Sequence, residues 1–251
     1  GSTGQEAENI FDQVLQACNA LDISLVGGHT EITHGLKRPI IAGCMLGEAD
    51  NNRVITTSGA KPGDDIVLTK GLAIEGISVL GREAGQRLLA AGLAEDLIQR
   101  AADYLYSPGI SVIKEALIAV KTANISAMHD PTEGGLATGL REIAGAARVG
   151  IVVDEAMIPI LPECREICDR LWLDPLGLLA SGALLITLPS PETAGLMAAL
   201  RENSISAAVI GSVVEAAEGI QMNTAKGRRE LPFFQRDELA RFLSGSGTKR
   251  Q

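Results

Sequence analysis

Two short segments combine paired glycines with hydroxyl and acidic side chains. They are Leu25-Val26-Gly27-Gly28-His29-Thr30-Glu31 and His129-Asp130-Pro131-Thr132-Glu133-Gly134-Gly135-Leu136. Paired glycines let a backbone approach a bulky anion and offer it N–H groups. A nearby carboxylate can help hold the magnesium that accompanies a polyphosphate. The chemistry expected is therefore the holding of a nucleotide phosphate, with contributions from two distant parts of the chain.

In the first segment, Gly27 and Gly28 would bring the backbone close, and Thr30 and Glu31 add a hydroxyl and a carboxylate. In the second, Asp130 ends a strand. Pro131 disfavours helix for Asp130 and then permits one to begin. Thr132, Gly134 and Gly135 fall at the helix entry, where unpaired N–H groups attract anions. Plainer readings stand beside these. Gly27-Gly28 can be a tight turn, and Asp130 and Thr132 can be caps. A cap alone needs no glycine pair, since each glycine costs about 1 kcal/mol inside a helix. His29 and His129 each abut a motif and could meet substrate or phosphate, whereas His34 reads as a loop residue. The chain has no Gly-Lys-Ser/Thr phosphate loop, no dinucleotide fingerprint, no His-x-x-x-His and no Gly-x-Ser-x-Gly.

Composition sets the background for these motifs. Of 251 residues, 46% are hydrophobic and only 3% aromatic, so Leu, Ile, Val and Ala must build the core. That suits layered α/β packing. A net charge of −9 argues against a nucleic-acid binder, which shows a basic face. The basic stretch Lys226-Gly227-Arg228-Arg229 reads as a solvated turn. Four cysteines, Cys18, Cys44, Cys164 and Cys168, are too sparse for a disulfide framework and fit a cytoplasmic location. Cys164 and Cys168 share a helix face and read as core or surface thiols, with metal or redox use as the alternative. No stretch is long and apolar enough for a membrane span, and no signal peptide is visible.

The elements that must position the motifs follow from periodicity. A helix is expected over 5–21, then strands at Ile23–Val26 and Pro39–Leu46. A boundary falls near Ser58–Asp65, followed by a strand at Ile66–Thr69. A helix from near Ala73 carries Glu75 in its first turn. Helices over 73–90, 94–104 and 110–121 lead to a strand at Ile125–Met128, which feeds the second motif. A helix through Leu136, Leu140 and Ile143 comes next. Strands at Ile151–Val153, Leu184–Leu188, Ala207–Val214 and Gly219–Met222 alternate with helices from Pro162 and over Pro191–Asn203. A short helix within Phe233–Leu243 closes the pattern, and the tail after it is expected to be disordered. The alternation favours α/β or α+β. One helix and two strands before the boundary are too few for a sheet domain, so this opening segment is expected to belong to something larger.

Three ordered segments, Val26-Gly27-Gly28-His29-Thr30-Glu31, Lys61-Pro62-Gly63-Asp64 and Asp130-Pro131-Thr132-Glu133-Gly134-Gly135-Leu136, resemble the aminoimidazole ribonucleotide (AIR) synthase superfamily. The Asp-Pro-Thr-x-Gly-Gly form, with Asp174-Pro175-Leu176 and Leu179-Ala180-Ser181-Gly182-Ala183-Leu184, resembles its hydrogenase-maturation branch. The resemblance implies an AIR synthase-like two-domain α/β (α+β) fold. Residues 1–58 would be the C-terminal part of the ATP-binding domain, 59–243 the C-terminal domain and 244–251 a tail. It implies ATP and Mg2+ as cofactors, and a homodimer acting on a small molecule or a maturation protein. Gly27, Gly28, His29 and Thr30 would meet the phosphates. Asp130 would be the catalytic carboxylate and, with Glu31, a metal ligand. Thr132, Gly134 and Gly135 would shape the pocket, with Glu75 and His129 near the substrate. The resemblance also implies an aspartate-rich segment ahead of the first motif, so the chain reads as truncated. The resemblance implies a Pro-Arg-Ile-Cys ending that carries the reacting cysteine, and Thr248-Lys249-Arg250-Gln251 does not match it. Two functions stay open: an enzyme that uses Mg-ATP to phosphorylate or activate a substrate oxygen, and a non-catalytic nucleotide-binding regulator or scaffold.

Overall fold

The structure, a computed structural model, describes residues 3–36, 38–50 and 54–245. The expected disorder beyond Gly245 thus lies outside the described residues. The chain divides into two units, Gly1–Asn51 and Asn52–Gln251.

The first unit opens with α1, Gly4–Ala20. Thr3 Oγ1 accepts from the Glu6 amide at 3.2 Å and the Thr3 amide donates to Glu6 Oε2 at 2.7 Å. This reciprocal box satisfies two N–H groups that the helix cannot pair internally. The segments expected as strands, Ile23–Val26 and Pro39–Leu46, are not strands. A strand exists through the ladder it makes with a neighbour, and neither segment makes one among the described residues. Their apolar side chains stay open, with Val26 92% and Leu46 89% exposed.

The second unit is built on one mixed sheet. Its strands are β1 Asp64–Thr69, β2 Ala127–His129, β3 Gly150–Asp154, β4 Leu185–Pro189, β5 Ala207–Val214, β6 Ile220–Thr224 and β7 Gly227–Glu230. They lie in the order β2-β4-β1-β5-β3-β6-β7. Every pairing is antiparallel except β3 with β6. The helices are α2 Ile74–Glu83, α3 Gly85–Ala90, α4 Glu95–Ala102, α5 Ile113–Thr122, α6 Gly135–Ala147, α7 Pro162–Leu171, α8 Ser190–Glu202 and α9 Glu238–Leu243.

Both faces of the sheet are covered, and β1 shows why. Successive side chains of a strand point to opposite faces. Ile66 and Leu68 enter the larger core, shared with Ile77 and Leu80 of α2, Leu140 of α6 and Ile167 of α7. Val67 enters the other, with Ile186 of β4 and Leu196 and Leu200 of α8. All of these side chains are fully buried, and each contributes about 1.5–3 kcal/mol relative to exposure. A strand buried on both sides reads as an unbroken apolar run, as Ile66-Val67-Leu68 does. The basic stretch Lys226–Arg229 makes the tip of the β6–β7 hairpin and most of β7, a strand that the sequence reading lacks. Arg228 and Arg229 there pair with Glu218 at 3.3 Å and Glu155 at 3.4 Å.

Candidate nucleotide site

The Asp130 segment is carried by the second unit. β2 runs antiparallel to β4, pairing His129 with Leu185, and delivers Asp130 at its end. Asp130, Thr132 and Glu133 are exposed, while Pro131 is buried. Pro131 seats against α6, where a Cβ on Gly139 would lie 2.6 Å from the proline's own Cβ. His129 Nε2 lies 2.8 Å from Glu142 Oε2, which ties the ring to α6 and away from a free role.

The glycine pair is required by the backbone itself. Gly134 has φ +76° and Gly135 φ +66°, in the left-handed region that glycine adopts without strain. A Cβ on Gly135 would fall 2.5 Å from the Leu176 carbonyl oxygen. The amides of the glycine pair already have partners. The Gly135 amide donates to Thr132 O at 3.1 Å, and the Gly134 amide donates to Asp237 Oδ2 at 2.7 Å. An aspartate from the far end of the chain thus supplies the anion that this helix N-terminus attracts.

A second turn, Leu179–Ser181, joins this one to α2. The Ala180 amide donates to Thr132 O at 3.2 Å, while Leu179 O and Ser181 O accept from the amides of Gly76 and Glu75 at 3.0 and 3.1 Å. Glu75 in the first turn of α2 and the Pro131–Gly135 turn are therefore held by one shared loop. The structure brings these sequence-expected groups together through backbone.

Asp237 is the residue that the sequence reading missed. Its position before Glu238-Leu239 is the signal of a helix cap, and its Oδ1 accepts from the Leu239 amide at 2.7 Å. Its contact with Gly134 spans 103 residues of sequence. Burial pushes its carboxyl up from the usual aspartate range, against the lowering effect of the hydrogen bonds from the Gly134 and Leu239 amides.

The first motif lies in the first unit. Gly27 to Glu31 line a cavity of about 430 Å³, walled also by Ile10, Phe11 and Val14 of α1 and by Pro39 to Cys44. A Cβ on Gly27 or Gly28 would meet no atom within 4 Å, so both backbones face open space. His29 Nε2 stands 3.9 Å from Glu31 Oε2, and both side chains are exposed. Among the described residues, no three His, Cys, Asp or Glu side chains converge to hold a metal ion. A magnesium ion here fits only as a partner of phosphate oxygens, the usual arrangement for an ion that takes one or two protein carboxylates.

The C-terminal domain of the AIR synthase related proteins matches residues 61–222. The chain is 29% identical to the carbamoyl dehydratase HypE of Cupriavidus necator, over 94% of this chain and 66% of that protein. It is 27% identical to the HypE of Rhizobium leguminosarum bv. viciae, over 83% and 58%. The chain thus spans less than two thirds of these relatives. A crystal structure of the hydrogenase maturation protein HypE in complex with ATP superposes with TM-score 0.56 at 28% identity, covering 76% of this chain and 57% of that one. The thiamine-monophosphate kinase of Stenotrophomonas maltophilia, at 20% identity and TM-score 0.57, shares the fold over 73% of this chain and 56% of its own. By the match over most of its second unit and the order of its motifs, the chain belongs to the AIR synthase related family, in the hydrogenase-maturation branch.

Proposed function

We propose that this chain belongs to an enzyme that uses Mg-ATP to phosphorylate or activate a substrate oxygen in hydrogenase maturation. The observation that carries the proposal is the Gly27-Gly28 backbone, open on its side-chain face and lining a cavity beside Thr30 and Glu31. The HypE relative with ATP bound supports it. In this reading, residues 1–58 are the end of the ATP-binding domain and 59–243 the C-terminal domain.

Bound Mg-ATP would supply an activated γ-phosphoryl group. The chain's own part is to bind and orient. In the first unit Gly27 and Gly28 bring amides to the phosphates, Thr30 and His29 add polar contacts and Glu31 supplies a carboxylate toward the cation; in the second unit Asp130 is the proposed catalytic carboxylate. Donors fixed before the reaction stabilise developing charge without reorganising, which is most of what phosphoryl transfer asks of a protein. Gly134 and Gly135 act as shape, since their amides are already used. They hold Thr132 and Asp130 at the surface, with Glu75 of α2, held by the shared loop, toward the substrate. The substrate is a small molecule or a maturation protein; a HypE–HypF complex among the similar folds has such an assembly. A homodimer and a cytoplasmic location complete the proposal, the latter supported by four free cysteines. Among the described residues, no helix is long and apolar enough to cross a membrane.

The test is Asp130→Asn. Phosphate release from Mg-ATP should fall by at least about a hundredfold, while the thermal midpoint stays within a few degrees, because Asp130 is exposed. Wild-type turnover by the variant would refute the role. A second reading draws on the satisfied amides of Gly134 and Gly135: a regulator that binds nucleotide without turning it over. Binding with no phosphate release in the wild type would favour it.

A further inference from the structure

Residues Leu231–Leu243 lie beyond the stretch that matches the family's domain, yet they fasten to the Pro131–Gly135 turn of the candidate site. The arm has several anchors of its own. Leu231 is buried, and its carbonyl accepts from the Arg141 guanidinium. The Phe234 ring covers Gly177, where a Cβ would fall 2.4 Å from it. Glu238 Oε2 accepts from the Asp174 amide at 3.1 Å, and Arg241 donates to Trp172 O at 2.9 Å. None of these contacts uses Asp237.

Asp237 does something separate. One carboxylate oxygen takes the Gly134 amide and the other takes the Leu239 amide, each at 2.7 Å. One side chain thus joins the Pro131–Gly135 turn to the head of α9. We infer that Asp237 is a positioning residue: its carboxylate ties the Pro131–Gly135 turn to the head of α9 and so sets where Asp130 and Thr132 stand. The inference rests on the proposed function for the consequence of that tie, and on geometry alone for the tie itself.

The two halves of the carboxylate are separable. Asp237→Asn keeps one oxygen, and asparagine caps helices as well as aspartate does. The oxygen can serve Leu239, while the new NH2 group meets the Gly134 N–H donor to donor. The arm stays docked through its other anchors.

The experiment is residue-resolved amide hydrogen exchange on the whole chain, wild type and Asp237→Asn, together with Mg-ATP turnover. The inference expects exchange at Gly134 and Gly135 to quicken by at least about tenfold, with Leu239 and the β1 amides unchanged. It expects kcat to fall by about tenfold or more while KM for ATP moves less than about threefold, the mark of a displaced group that does not itself bind nucleotide. Asp237→Ala, which loses the cap as well, should quicken Leu239 too. Unchanged exchange at Gly134 in Asp237→Asn would overturn the tie, whatever the activity. Faster exchange with unchanged kcat would overturn the positioning role. A wild type that neither binds nor turns over ATP would remove the proposed function, while the quickened exchange would still support the tie.

Discussion

Gly135 shows how much of this site is backbone geometry. Its φ of +66° and the Leu176 carbonyl 2.5 Å from any added Cβ leave no room for a side chain. Gly135→Ala should destabilise the fold by about 2–4 kcal/mol, read as a lower midpoint in urea, from backbone strain and the forced retreat of Leu176. Lys70 is a second residue under constraint. It is buried with φ +57°, and its Nζ meets Glu115 Oε1 at 3.0 Å, Gly109 O at 2.9 Å and Ser111 O at 2.8 Å. Removing one partner of a buried pair strands the other, so Lys70→Met should cost about 3–5 kcal/mol. Lys70→Met with Glu115→Leu should recover only part of that, because the two loop carbonyls still lose their donor. A double-mutant cycle by urea unfolding measures both numbers.

Glu163 sets a pH dependence. Burial raises its carboxyl, but hydrogen bonds from Arg100 at 2.6 Å and Tyr104 at 2.7 Å outweigh burial and hold it below the usual glutamate range. A carboxyl lowered in the folded state stabilises the fold above its unfolded pKa and loses that contribution as pH falls through the folded one. Stability should therefore drop on acidification below about pH 5, and Glu163→Gln should flatten that slope. Asp237 has the opposite sign. Its raised carboxyl favours the folded state as pH falls, so Asp237→Asn should steepen the acid loss.

At the scale of elements, α7 gives a direct check. Cys164 and Cys168 are buried and reduced, and the neighbouring Cys164 thiol, with burial, pushes the Cys168 thiol up. A thiol reagent acts through the thiolate. It should label exposed Cys44 in the native protein, and Cys164 and Cys168 only after unfolding. Labelling of either buried thiol at the native rate of Cys44 would contradict the packing of α7.

The elements also show where sequence was legible. The helix through Leu136, Leu140 and Ile143 was readable because all three face one core at helical spacing, and Gly135–Ala147 contains them. β1 was readable as an unbroken apolar run. β7 was not, since Gly227-Arg228-Arg229-Glu230 is exposed throughout and shows no alternation. The expected strands of the first unit failed for a complementary reason: apolar residues mark a segment that can pair, and pairing needs a partner. Of the candidate site, the turn chemistry of Pro131–Gly135 was legible, because proline and glycine act locally. The tie from Asp237 was not, because no local rule links residues that far apart.

At the scale of the molecule, the proposed function gives the chain Mg-ATP as its ligand. The measurement that tests this most directly is calorimetric titration of Mg-ATP into the whole chain, beside Thr30→Val and Asp130→Asn. Both residues are exposed, so either variant should fold as the wild type does. The account expects saturable binding by the wild type, weakened by at least about tenfold in each variant, as loss of a charge-assisted or phosphate contact implies. Absence of wild-type binding, or equal binding by all three proteins, would contradict it.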